Sequence, residues 1–333
     1  MIHDLTESQI GGSLTLVTEH PFGSAQDVAA KGGSDSCGLR VEGNKILDET
    51  GDPVRFRGVS LIDLGVQQRW YGGYMWALDM ITSPGWYPNT VRLPVYPPQV
   101  GAYRSPYPYP FRDEGNQRYY IDLLKPAVDY ATAKGLYVII DFHQIADTDG
   151  VFCDQALEFW EFIAPKFSDR PNVLYEIFNE PIDDISRDAV TKWRPFRERA
   201  QRWVDSVRNL APDNLILIGG PTWAQVIGPV LEEPVEGKNI AYTVHVYPAC
   251  WNSWVEEEVS RVAKEYPVVL TEFGFGAGDE WFGPKIRTLI EENHLHSVAW
   301  VLSHDWGPPM IRDRFTRELT TFGNFVKDLL SEI

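Results

Sequence analysis

The stretch NVLYEIFNEP, Asn172–Pro181, carries the reading on which the fold turns. Val173, Leu174, Tyr175, Ile177 and Phe178 make the near-continuous apolar run of a parallel strand covered on both faces, yet Glu176 sits inside the run and Asn179–Glu180 end it. A carboxylate in such a place needs a partner or a task, because burying an unpaired charge is costly. The two-residue strand period puts Glu176, Phe178 and Glu180 on one face, so Glu176 should point inward below Glu180, toward a basic or hydroxyl group. Asn179 and Glu180 are adjacent and cannot both face one ligand from a regular strand. A bulge or sharp bend is expected there, with Pro181 blocking further pairing.

Seven other runs have the same buried-strand character: VRFRGVSLI, NTVRLPV, LYVIIDFH, LILIGG, IAYTVHVY, VVLTEFG and SVAWVLS. Helical patterns separate nearly all of them. RYYIDLLKPAVDYATAKG places Ile121, Leu124, Val128 and Ala131 at helical spacing and stops at Gly135; WVEEEVSRVAKEY, PKIRTLIEENH and FGNFVKDLLSEI behave alike. Eight strands alternating with helices predict an α/β fold, a (β/α)8 TIM barrel. The alternative, an open doubly wound sheet, normally announces itself with a G-x-G-x-x-G turn after the first strand, and none is present. LRVEGNKILDETGDPVRF, with turns at Glu42–Asn44 and Glu49–Asp52, reads as a small hairpin ahead of the barrel. Residues 1–36 show no periodicity and read as an N-terminal extension; 37–333 read as a single catalytic domain.

Length and charge narrow the function classes. The 333 residues exceed the roughly 250 that one such barrel commonly needs. A formal net charge of -17 argues against a nucleic-acid partner, since an acidic surface repels a phosphate backbone. No run of about 18 apolar residues exists to span a membrane, and the first residues lack a basic start followed by an apolar core, so no secretory signal is visible. Cys37, Cys153 and Cys250 are too few and scattered for a disulfide framework, and they form no C-x-x-C pair.

In a barrel of this kind the reacting groups sit at the C-terminal ends of the strands. Polar residues fall there in series: Arg92 inside strand two, His143 at the end of strand three, Asn179 and Glu180 after strand four. His245 and Tyr247 end strand six, Glu272 ends strand seven and Trp300 lies on strand eight. Singly, each has a bland reading as an ion-pair partner, a satisfied core histidine or a packed aromatic. Two glutamates three strands apart suggest glycoside hydrolysis, in which one carboxyl protonates the leaving oxygen and the other attacks the sugar.

With GDPVRFRGVS, VRLPV, DFH, NEP, VHVY, TEFG and the strand-eight Trp in combination, the chain resembles glycoside hydrolase family 5, the cellulase-like retaining β-glycanases, over about Arg40 to Leu330. The resemblance implies Glu180 as acid/base and Glu272 as nucleophile, with Arg92 and Tyr247 bonding Glu272 and His245 near Glu180. It further implies Asn179 on the sugar 2-hydroxyl, His143 on another hydroxyl, Trp300 under the reacting sugar and a non-proline cis peptide after it. Ser60 departs from the Asn that many members carry after RGV. No metal and no cofactor are expected.

The strand-to-helix loops are rich in aromatics: Trp70, Tyr71, Tyr74, Trp76, Trp86, the stretch YRSPYPYPF after strand two, Trp223, Trp251, Trp254, Trp281 and Trp306. Sugar rings stack on aromatic faces, and Trp223, Trp251 and Trp306 are the expected binding residues. The expected activity is retaining endo-β-1,4-glucan hydrolysis, acting outside the cell on a poly- or oligosaccharide as a monomer. β-Mannan hydrolysis and exo-action stay open at this stage. A non-catalytic carbohydrate-binding barrel would normally have lost one of the two glutamates, and a metal-dependent barrel hydrolase would carry an H-x-H pair on strand one.

Overall fold

The computed structural model describes residues 38–97, 99–100, 103–104, 114–183 and 189–331. The N-terminal extension, Cys37 and most of YRSPYPYPF lie outside them. Eight parallel strands close a barrel: β1 Arg57–Ser60, β2 Thr90–Val95, β3 Tyr137–Phe142, β4 Val173–Glu176, β5 Ile216–Gly219, β6 Ile240–Val246, β7 Val268–Phe273 and β8 His296–Ala299. Neighbours in sequence are neighbours in space, and β8 returns to β1 through Ser297↔Arg57, Val298↔Gly58 and Ala299↔Val59. That last pairing rules out the open sheet. Gly58 permits it to fit beside β2, since a Cβ there would lie 2.2 Å from the Thr90 carbonyl oxygen.

The strand period sorts side chains into two cores. Outward residues such as Val91, Leu93, Val138, Ile140, Ile216, Ile218, Val244 and Leu270 pack under the helices. Inward residues Ile139, Leu174, Leu217, Ala241, Val269 and Val298 fill the lower barrel together with Leu39, Ile46 and Phe56. Each such side chain contributes about 1.5–3 kcal/mol when fully buried. The expected hairpin is present, Arg40–Glu42 against Lys45–Leu47, and it turns at Gly43, whose φ of 60° suits a residue without Cβ. Its packing in the inner core plugs the bottom of the barrel.

Helices cover the outside, including Gly150–Ile163 after β3, Ala189–Leu210 after β4, Ser253–Val262 after β6, Phe282–Glu292 after β7 and Thr321–Ser331 after β8. The connection after β5 is different: a short turn, Pro221–Ala224, and a 3₁₀ turn, Gly228–Leu231, replace a long helix. No helix among the described residues is long and apolar enough to cross a membrane. The peptide Trp300–Val301 is cis, as the resemblance implied, and so is Gly307–Pro308.

Two local expectations meet different outcomes. The chain does bend after β4: pairing stops at Glu176 and resumes at Glu180–Pro181, alongside Ile145–Ala146. Pro181, however, does not end pairing. The bonds of this short parallel segment run from Glu180 N to Gln144 O (3.0 Å) and from Ile182 N to Ala146 O (3.1 Å), so the alternation of a strand turns the proline nitrogen away from its neighbour. Trp300 also lies one residue beyond β8 rather than on it.

Candidate active site

Arg92 faces inward because it alternates with the outward Val91 and Leu93 on β2. It is wholly buried, and its guanidinium reaches five groups: Nε to Glu176 Oε2 (2.6 Å), Nη1 to Glu272 Oε1 (2.8 Å) and Ser60 Oγ (3.5 Å), Nη2 to Asn179 Oδ1 (2.7 Å) and to Asp141 Oδ2 (2.9 Å). Burial works against its charge, but Asp141, Glu176 and Glu272 outweigh it and hold the guanidinium above its ordinary range. Glu176 thus has the basic partner its position demanded. Burial alone would raise its carboxyl; Arg92 and His245 instead lower it to about 2.

The bend after β4 places Asn179 and Glu180 on separate tasks. Asn179 turns its carbonyl oxygen to Arg92 and leaves its buried Nδ2 without a protein acceptor among the described residues. Glu180 is fixed through its backbone to the segment after β3 and directs Oε1 to His245 Nδ1 at 2.8 Å.

A register shift between β6 and β7 brings the other groups into line. Val244 pairs with Leu270, but His245 pairs with Glu272, so Thr271 is the extra residue. Its hydroxyl meets His245 Nε2 at 3.0 Å, and His245 Nδ1 lies 3.6 Å from Glu272 Oε2. Burial opposes charge on this imidazole, yet Glu272, Glu176 and Glu180 push it up to about 10. The Tyr247 hydroxyl donates to Glu272 Oε2 at 2.7 Å. Burial and the Glu272 charge keep that phenol protonated, far above its usual range. Cys250 steadies the turn beneath it, its Sγ lying 3.2 Å from the Tyr247 N and O atoms.

His143 lies between two rings, Tyr96 at 4.7 Å and Trp300 at 5.2 Å, both nearly parallel to it. Its Nδ1 is 2.6 Å from Asp141 Oδ2. Burial, helped by Arg92, lowers the imidazole to about 3 and so keeps it neutral. Trp300 receives the Arg92 guanidinium over its ring at 5.8 Å and donates its Nε1–H to the Gly307 carbonyl (3.2 Å).

Oxygens of Glu180 and Glu272 and a nitrogen of His245 all lie within 4.8 Å of one another. That spacing would suit a cation, but these atoms already face protein partners: Glu272 is held by Arg92 and Tyr247, and Glu180 by His245. The eight rim residues Arg92, His143, Asn179, Glu180, His245, Tyr247, Glu272 and Trp300 therefore form one linked cluster.

The loop tryptophans divide. Trp306 joins the rim, 5.9 Å from Tyr96. Trp223 is partly exposed on a left-handed turn in which Thr222, Trp223 and Ala224 have φ of 63°, 53° and 54°. Trp251, half-buried, sets its ring edge-on to Phe282 at 5.5 Å and packs against the outer core. Trp70 and Trp281 are exposed, whereas Tyr74 and Trp86 are buried loop core.

Asp141 and Tyr96 escaped sequence reasoning. Asp141 was findable: it stands two residues before His143 and so shares its face. Tyr96, just past β2, carried no signal until the fold stacked it on His143.

Comparison with known proteins agrees with this fold. Endoglucanase A of Butyrivibrio fibrisolvens is 31% identical over 311 residues, covering 88% of this chain and 66% of the relative. Endoglucanase E-5 of Thermobifida fusca is 29% identical over 284 residues, covering 80% and 56%. The chain thus spans under two thirds of the length of these relatives. Among solved structures, the beta-glucanase SdGluc5_26A from Saccharophagus degradans superposes with a TM-score of 0.77 at 25% identity, over 90% of this chain and 94% of that one. The catalytic domain of T. fusca endoglucanase Cel5A (E5) gives 0.73 at 26% identity, over 93% and 100%. The family model described as cellulase (glycosyl hydrolase family 5) matches residues 47–305, from the hairpin through the loop after β8. With that match spanning every barrel strand and both rim glutamates, the chain belongs to glycosyl hydrolase family 5.

Proposed function

We propose that this protein is a retaining endo-β-1,4-glucanase in which Glu272 is the nucleophile and Glu180 the acid/base. The observation that carries the reading is the approach of the two carboxyls to within 4.8 Å, oxygen to oxygen. Retention works with carboxyls about 5–5.5 Å apart, whereas inversion needs about 6.5–9.5 Å to admit a water.

In the first step a Glu272 oxygen forms a bond to the sugar C1 as the C1–O glycosidic bond breaks. The leaving oxygen keeps that electron pair and takes the Glu180 proton. In the second step water adds to C1, Glu180 accepts its proton, and Glu272 departs as a carboxylate. Arg92 and Tyr247 each donate a hydrogen bond to Glu272 and hold it aimed before attack. Asn179 Nδ2, without a protein acceptor, is the donor for the sugar 2-hydroxyl. His143, neutral and clamped between Tyr96 and Trp300, serves another hydroxyl, and Trp300 forms the floor.

The substrate assignment rests on kinship and on the loops. The relatives above are endoglucanases by name, and SdGluc5_26A has a solved complex with cellotetraose. Trp223 and Trp306 offer ring faces for flat, extended β-1,4 chains. A polymeric substrate goes with action outside the cell, by a monomer, and both belong to the same proposal. Proton NMR of the first-formed reducing end tests the mechanism: the β-anomer should appear first and mutarotate slowly, and initial release of the α-anomer would overturn retention.

A further inference from the structure

The chemistry proposed above gives no role to Glu176, a buried carboxylate bound to Arg92. Glu176 lies beneath the two rim glutamates, wholly buried. Its Oε2 accepts from Arg92, while its Oε1 has no hydrogen-bond partner and lies 3.8 Å from His245 Nε2. On the other side of the same imidazole, Nδ1 is 2.8 Å from Glu180 and 3.6 Å from Glu272. Nε2 also meets the Thr271 hydroxyl at 3.0 Å, so each ring nitrogen has an oxygen beside it able to accept from an N–H.

We propose that Glu176 is a positioning residue for hydrolysis: a fixed anion that keeps His245 charged, so that its Nδ1–H faces Glu180 and Glu272 throughout the reaction.

The charges support this. The titratable groups that face His245 are Glu176 and Glu180 from β4 and its continuation, Glu272 from β7, Tyr247 after β6, Arg92 from β2, and Asp141 and His143 from β3. Tyr247 stays a neutral phenol. Asp141 is bound to Arg92 at 2.9 Å and to His143 at 2.6 Å. Facing the His245 ring itself are three carboxyl oxygens, those of Glu176, Glu180 and Glu272. In glycosylation Glu272 gives its charge up to an ester bond while Glu180 becomes a carboxylate after losing its proton. The total is unchanged, and the charge moves between two groups that flank the same Nδ1–H. A frame whose total charge is the same in both states needs little reorganisation as the charge crosses it. Without the Glu176 charge, His245 loses the anion facing its Nε2 and releases its proton at lower pH.

The proposal rests on the assigned roles of Glu180 and Glu272, but its first test does not. In protein labelled with ¹⁵N-histidine, His245 should show the imidazolium signature through pH 8, and a neutral ring at pH 7 would overturn the idea whether or not glucan is hydrolysed. In Glu176→Gln the His245 titration and the alkaline limb of kcat/KM on carboxymethyl cellulose should both move down by at least one pH unit. Glu176→Asp keeps the anion and should keep the wild-type limb even where the rate falls. An unmoved His245 titration in Glu176→Gln, or a limb that shifts equally in both variants, would reduce Glu176 to a packing role. Should Glu176→Gln fail to fold, the wild-type spectrum and the Glu176→Asp profile still decide.

Discussion

Glu180→Gln isolates the proton that the proposed mechanism assigns to one carboxyl. Glutamine has the same shape, and the backbone at this point is held by bonds the side chain does not make, Glu180 N to Gln144 O and Ile182 N to Ala146 O. The amide oxygen can still accept from His245 Nδ1, so the lost stabilisation is bounded by one charge-assisted hydrogen bond, about 1.5–3 kcal/mol. A domain stable by about 5–15 kcal/mol survives that. Catalysis does not: losing a general acid costs about 10²–10⁴-fold, or roughly 2.7–5.5 kcal/mol of barrier. The loss should depend on the leaving group. On carboxymethyl cellulose, whose leaving sugar needs the proton, kcat/KM should fall by the whole factor. On 2,4-dinitrophenyl cellobioside, whose phenolate leaves unaided, glycosylation should be nearly normal and the second step slow. Azide needs no deprotonation, so it should restore turnover there and yield the β-glycosyl azide. Full activity of Glu180→Gln on the polysaccharide, or no azide effect on the activated substrate, would refute the assignment.

Glu272→Gln should lose activity on polymeric and activated substrates alike, because no nucleophile remains, while circular dichroism reports an unchanged fold; residual activity above about one per cent would move the nucleophile elsewhere. The enzyme should prefer carboxymethyl cellulose or mixed-linkage glucan to mannan in kcat/KM, and a tenfold preference for mannan, about 1.4 kcal/mol of discrimination, would reverse the substrate reading. Trp223→Ala should raise KM on long substrates with little change in kcat. Trp223→Gly should do the same and melt higher than Trp223→Ala by an amount equivalent to about 1 kcal/mol, since position 223 has a φ of 53° that glycine adopts freely.

Much of this protein was legible in one dimension because the relevant signals are local. A barrel strand buried on both faces must be apolar almost throughout, so the eight runs announced themselves, and any charged residue within them stood out. The strand period placed Glu176 on the inner face below Glu180, and adjacency forced a bend at Asn179. Residue type named the rest of the rim, since Arg92, His143, His245, Tyr247 and Glu272 are expensive to bury without partners.

Tertiary structure decided everything that depends on separation in space. Closure of β8 on β1, and with it a barrel rather than an open sheet, joins segments about 240 residues apart. The partners of Arg92 come from β3, β4 and β7, and no pattern along β2 could state which carboxylates it would meet. Tyr96 became part of the site only by stacking on His143, and the fold set Trp251 edge-on to Phe282. Pro181 kept its pairing because the alternation of hydrogen bonds, rather than the residue itself, determined which nitrogen mattered. Protonation is the clearest case: His143 and His245 are the same side chain at the ends of two apolar runs, β3 and β6. One is held neutral by burial beside Arg92, and the other is held charged by three carboxylates. Their fields add over distances that exist only once the barrel has closed.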